Sequence, residues 1–306
     1  PRGVALEGTW RGPHHPEIAS GSALLAYAGR GREDGDPFII LTHNSTLKGV
    51  TIWYPEQKTS DIRPYPWTIS VRGSRCNILD VTIANAYNGI DCGTRQNDSH
   101  LVRNVNMSAL RRGVFIDRCY DIGRFENVHI VHMDWNSMGK EGGMEDINTY
   151  KKFILQNLEG FIIGKCDWDY MVNCFVIYAK VGFRFVEMKL EPGKSLGQAP
   201  AGNILITQSG SDLSPLAVQI EKIQDHSGIA FENCQFMNSI EIEETNTGPV
   251  KLTNCGFWGQ CRTGSVILNR GKGEVFLTSC HFSAWEDQKN PYVWDPKIPF
   301  IRMEDG

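Results

Sequence analysis

The sequence predicts an all-β fold, a parallel solenoid in which each sequence repeat forms one coil, and three observations predict it. A short pattern of apolar, any, Asn or Ser, Cys, any, Phe appears as FENCQFMN, LTNCGFWG and LTSCHFSA, and drifts upstream with Val in the Cys position. Short intervals between its occurrences cluster near the low twenties, the scale of one solenoid coil. A second column, built on Gly, keeps the same intervals on the strands that follow.

Taken in order, the turn positions are Gly49, Asp80, Asn104, Asn127, Asn173, Asn233, Asn254 and Ser279, separated by 31, 24, 23, 46, 60, 21 and 25 residues. Each is followed by a small apolar residue: Val50, Val81, Val105, Val128, Cys174, Cys234, Cys255 or Cys280. Strand alternation puts these eight on one inward column, where Cys serves as a compact apolar residue. Asn suits the turn because it tolerates left-handed backbone angles, and stacked amides can bond to one another from coil to coil. The Gly column reads GIDCG from Gly89, GVFIDR from Gly113, GFIIGK from Gly160 and GFRFVE from Gly182, at intervals of 24, 47 and 22. LAVQIEK, SIEIEE, SVILNR and FIRMED continue it without the Gly, and WTISVRG and DPFIILTH supply earlier coils. Roughly ten coils result, rising about 4.8 Å each.

The long intervals predict inserts. The insert over 134–157 contains Met144 to Gln156, which reads as a short helix, a lid beside a groove. Val186 to Gly202 and Pro55 to Pro66 read as long loops, where binding tends to sit on a rigid scaffold.

Composition bounds the rest. A chain of 306 residues with 41% hydrophobic residues can bury a sizeable core, and the repeats run through all of it, predicting one domain over 1–306. GVALEG already reads as a strand entering the stack, which suggests a fragment of a longer chain. The formal charge of −4, without basic blocks, implies neither nucleic acid nor an anionic membrane as partner. No apolar run suits a transmembrane helix, and no signal-peptide pattern opens the chain. Nine Cys without a CxxC pair or a Cys and His cluster point away from a metal site, leaving a Cys92–Cys119 disulfide open.

On these columns the chain resembles the pectin-lyase-like superfamily of right-handed, single-stranded parallel β-helices. The resemblance covers Gly3 to about Met303. It implies three sheets, an Asn ladder in the turn between the second and third, and a carbohydrate groove along the outside of the first, here the Gly column. NGIDCG, from Asn88 to Gly93, is similar to the strand that carries an Asp in polygalacturonase-like hydrolases. Their adjacent Asp pair, GHG and RIK motifs are missing. The implied partner is a polysaccharide or oligosaccharide, and the implied setting is extracellular or the cell surface.

Alternation on the Gly-column strands turns Asp91, Phe115 and Asp117 outward. Asp91 and Asp117 sit on neighbouring coils two residues out of register, about 8 Å apart, room for the water of an inverting glycosidase. They are the candidate acid and base, with Asp167 a third candidate. Arg118, Lys165 and Asp167 follow at the ends of adjacent strands, where they could bind an acidic sugar or tune a carboxyl group, and the outward Arg184 is a further binding candidate. Trp168, between Asp167 and Asp169, offers a ring on which a sugar can stack, and Trp135 beside Asp134 offers another. His129, His132, His14 and His15 read as structural or loop residues. No cofactor is implied for a hydrolase. A lyase acting on a uronate polymer would use Arg112, Arg118, Lys165 or Arg184, with Ca²⁺ held by Asp91, Asp117 and Asp167. A noncatalytic, tailspike-like binding module would use aromatic rings alone.

Overall fold

The structure is a computed structural model and describes residues 2–10, 12, 14, 21–189, 201–259, 265–282 and 301–304. His15, Phe300 and residues 190–200 of the expected long loop lie outside them. The described chain is all-β, with one large parallel sheet of 24 strands and two α-helices, Met133–Ser137 and Ile147–Asn157.

The strands fall into three ladders of parallel neighbours. One precedes the Asn turns and runs from Ala5–Glu7 to Val275–Thr278; one follows them, from Ser22–Leu25 to His281–Phe282. The third contains the Gly column and runs from Ile39–Leu41 to Ile301–Met303. From Asp167–Val172 onward each strand pairs with the third strand after it, so one sequence repeat contributes once to each ladder.

The turn chemistry explains the first column. Asp80, Asn104, Asn127, Asn173, Asn233 and Asn254 all have φ between 51° and 54°, the left-handed region that Asn and Asp enter at least cost. Their amides form a ladder: Asn104 donates to Asp80 at 2.8 Å, Asn127 to Asn104 at 3.0 Å, Asn173 to Asn127 at 2.9 Å and Asn254 to Asn233 at 2.7 Å. The residue after each turn faces the core. Val50, Val81, Val105, Val128, Cys174, Cys234 and Cys255 are buried, and Cys280 is partly exposed. Rings stack in the same interior, Phe161 on Phe183 and Phe257 on Phe282, with centroids 5.0 and 4.9 Å apart. Each such side chain contributes about 1.5–3 kcal/mol by leaving water.

Close backbone approach explains the second column. A Cβ on Gly89 would lie 2.4 Å from the Gly113 carbonyl oxygen, one on Gly113 2.5 Å from that of Gly160, and one on Gly160 2.5 Å from that of Gly182. The stack tolerates no side chain there.

The 60-residue interval holds one further turn that the sequence pattern passes over: Gln208, at φ 51°, takes the turn and buried Ser209 takes the inward position. Ser209 Oγ accepts from the Cys174 amide at 3.0 Å and donates to the Thr207 carbonyl at 2.9 Å, so a hydroxyl replaces Cys at no hydrogen-bonding cost. The insert over 134–157 carries a helix capped by Asp146, whose carboxylate accepts from the Asn148 and Thr149 amides at 3.0 Å each. Thr59 donates its amide to the Gly143 carbonyl, and Glu145 and Asp146 donate theirs to Thr59 Oγ1, which bolts the insert to the Pro55–Pro66 loop.

Candidate functional site

Along the outside of the Gly-column ladder, parallel register lines up Ser70, Asp91, Phe115, Ile162, Arg184, Gln219 and Glu241 in one row. Next to this row opens a cleft of about 550 Å³ lined by Trp67, Arg112, Phe115, Asp117, Arg118, Glu159, Arg184 and Glu221. Its aromatic wall is Trp67 stacked on Phe115, centroids 6.3 Å apart and planes 14° from parallel. The Arg112 guanidinium stands 5.7 Å from the Trp67 ring centre and 3.3 Å from Glu33.

Further along the same ladder the cleft is lined by a chain of charge-assisted bonds. Arg184 bridges Glu159 at 2.7 Å and Glu221 at 2.6 Å, and Arg111 approaches Glu159 at 3.5 Å. Such arrays present paired donors and acceptors, the complement of vicinal hydroxyls.

Asp117 is 3% exposed yet lines the cleft. Its Oδ1 accepts from the Arg118 and Lys165 amides at 2.8 Å each, and its Oδ2 from the Arg118 guanidinium at 2.8 Å. Burial nonetheless raises its pKa above the ordinary carboxylate value, the donors only partly opposing it, and the nearby Asp91 charge adds a smaller push. Two glycines make room for it: a Cβ on Gly164 would stand 2.9 Å from the Asp117 carboxyl carbon, and one on Gly93 3.0 Å from the Asp117 Cβ.

The other sequence candidates separate. Asp91 points outward as expected but is enclosed, accepting from Ser70 Oγ at 2.7 Å and from the Gly93 and Thr94 amides at 3.0 and 2.7 Å. Three donors bind its carboxylate to the turn, and it does not line the cleft. Lys165 is 1% exposed, its ammonium 2.6 Å from Asp167, which also accepts from Gln224 at 2.6 Å. Asp91, Asp117 and Asp167 do not converge; among the described residues no group of three or more His, Cys, Asp or Glu is placed to hold a metal ion.

Trp168 is 63% exposed, but it borders a different groove from Asp117. Asp169 does not flank its ring as an exposed acid. It turns inward, accepting from the Gly123 amide at 2.8 Å and the Cys119 thiol at 3.3 Å, and burial pushes its pKa up to about 7. Trp135 is fully buried, edge-on to Tyr150 at 5.2 Å, with its indole N–H on the Gly142 carbonyl, so no open ring stands there. Cys92 and Cys119 are free, buried thiols rather than a disulfide, since the Cys119 sulfur is turned to Asp169. His129 and His132 are half-buried, and burial lowers both pKa values.

Trp67, Glu159 and Glu221 went unnoticed as site residues. Trp67 opens an irregularly spaced early strand, and Glu159 directly precedes Gly160, one step outside the Gly-column motif. Comparison with family models, curated proteins and solved structures returned no match for this chain.

Proposed function

We propose that the chain is a right-handed, single-stranded parallel β-helix of the pectin-lyase-like kind, and that it binds an extended carbohydrate in the cleft along its Gly-column face. The observation that carries this reading is the Trp67–Phe115 stack lying beside an alternating array of Arg and Glu side chains on the same ladder. Sugar rings have apolar faces that pack on aromatic rings, and hydroxyl rims that exchange bonds with guanidinium and carboxylate groups. A parallel ladder repeats such positions at a fixed rise, which suits a polymer. Trp67→Ala tests it. The variant should migrate through gels containing the recognised polysaccharide with an affinity lowered about tenfold or more relative to wild type. Equal mobility of wild type and variant in every polysaccharide gel would overturn the reading.

Hydrolysis of a glycosidic bond is a second reading, favoured by Asp117 alone. A carboxyl whose pKa is raised by burial, at the wall of a sugar cleft, is the form a general acid takes. Asp91 is a poor partner base because it is enclosed and does not line the cleft. Asp117→Asn should abolish release of new reducing ends while the fold persists by circular dichroism. The lyase alternative has less support, since Lys165 is enclosed and paired with Asp167.

A further inference from the structure

The most exposed aromatic ring among the described residues is not in the cleft. Trp168 is 63% exposed and Tyr170, two residues on and on the same side of its strand, is 40% exposed. Both project from the ladder that precedes the Asn turns, where Tyr170, Leu205, Ala230 and Lys251 stand in register on successive strands. A groove of about 230 Å³ lies against the indole, bordered by Tyr170, Asn203, Leu205, Ala230 and Lys251.

The backbone at Trp168 has φ 60°, and the pairing shifts by one residue between Asp167 and Asp169. A bulky side chain is held there against local preference, where Gly or Asn would sit without strain. With the side chain 63% exposed, burial of the ring offsets little of that strain. Strain combined with display is the pattern of a residue kept for contact with a ligand.

We propose that this groove is a second binding site, separate from the cleft, for one pyranose unit of a carbohydrate stacked on Trp168. The volume is below that of drug-sized pockets, of about 300 Å³ and more, and suits one ring. Tyr170 extends the apolar floor, while Asn203 and the Lys251 ammonium, now bonded to the Ser227 carbonyl at 2.8 Å, supply donors at its rim. Charge limits the occupant. Lys251 is the one cationic side chain among the lining residues, and the Asp169 carboxylate is turned inward, so a neutral or acidic sugar fits and a cationic ligand does not. An added peptide strand does not fit either, because the strands under the groove pair on both sides and leave no edge.

The test is fluorine NMR of the full chain labelled with 5-fluorotryptophan, the Trp168 resonance being the one missing in Trp168→Asn. Cellohexaose, xylohexaose and trigalacturonate are titrated into the millimolar range. The resonance should move with at least one of them, the neutral and acidic probes telling the two sugar classes apart. By calorimetry in the Trp67→Ala background, Trp168→Asn should weaken that binding about tenfold or more; Trp67→Ala alone should leave the Trp168 resonance shift intact, and Trp168→Asn should melt no lower than wild type because it relieves the backbone. A resonance unmoved by all three probes, unchanged binding in Trp168→Asn, or a lowered melting temperature in that variant would each overturn the proposal.

Discussion

Asp169 and His100 are both buried against Gly123 and their titrations act on stability in opposite directions, so removing either one should expose the other's pH dependence. A Cβ on Gly123 would lie 2.4 Å from His100 Nε2 and 2.7 Å from Asp169 Oδ2, so both atoms converge on one glycine, and neither has a hydrogen-bond partner among the described residues. Cys119 packs on the carboxyl, and Cys92, Cys166, Asp98 and Asp167 are the other titratable groups near it. Burial raises Asp169 from 3.8 to about 7 and lowers His100 from 6.5 to about 4. The raised carboxyl contributes stability that is complete below about pH 4 and is lost as pH rises through about 7. At about 1.4 kcal/mol per pH unit this amounts to about 4 kcal/mol. The lowered imidazole contributes stability present above about pH 6.5 and lost as pH falls through about 4, about 3 kcal/mol. Between these limits the two slopes nearly cancel in the wild type. In urea unfolding from pH 4 to 7, the stability of Asp169→Asn minus that of wild type should rise by about 4 kcal/mol. That of His100→Leu minus wild type should fall by about 3 kcal/mol between pH 4 and 6.5. Asn keeps the acceptor for the Gly123 amide, so the fold should survive. Difference profiles that stay flat with pH would refute the assignment of a neutral carboxyl beside a neutral imidazole.

Two further outcomes follow from the columns. Gly113→Ala would place a methyl 2.4 Å from Ile130 Cδ1 and 2.5 Å from the Gly160 carbonyl oxygen, and should cost about 1–3 kcal/mol in chemical unfolding. Asn127→Ala removes both a donor and an acceptor of the amide ladder and leaves φ at 54°, so it should cost more than Asn127→Gly, by about 1 kcal/mol of backbone strain. Equal losses in the two variants would mean that the backbone angle carries none of the cost.

Much of the scaffold was legible because its requirements fall on single residues. A left-handed turn selects Asn, a backbone crossing selects Gly, and a small inward position selects Val or Cys, so each requirement leaves a letter at a fixed interval. The repeat at Gln208 and Ser209 escaped because Gln can also hold the turn and a hydroxyl can also satisfy the inward site. The cleft was only half legible. Parity placed Phe115 and Asp117 outward correctly, but parity does not report enclosure, and the Ser70 hydroxyl and the Gly93 and Thr94 amides that surround Asp91 come from a neighbouring strand and a turn. Trp135 misled for a related reason. An aromatic residue at the start of an insert looks exposed until the helix at Ile147–Asn157 folds back over it. Trp67 meets Phe115 only through the register of three successive strands, which no local pattern encodes.

The central claim is that the Gly-column face is where a carbohydrate lies, and amide hydrogen exchange of the full chain with and without each polysaccharide of a neutral and uronate panel tests it most directly. The account predicts slowed exchange in peptides containing Trp67, Arg112 to Arg118, Glu159 to Ile162 and Arg184 with the polymer that binds. Exchange left unchanged there by every polymer, or slowed only on the ladder that follows the Asn turns, would contradict it.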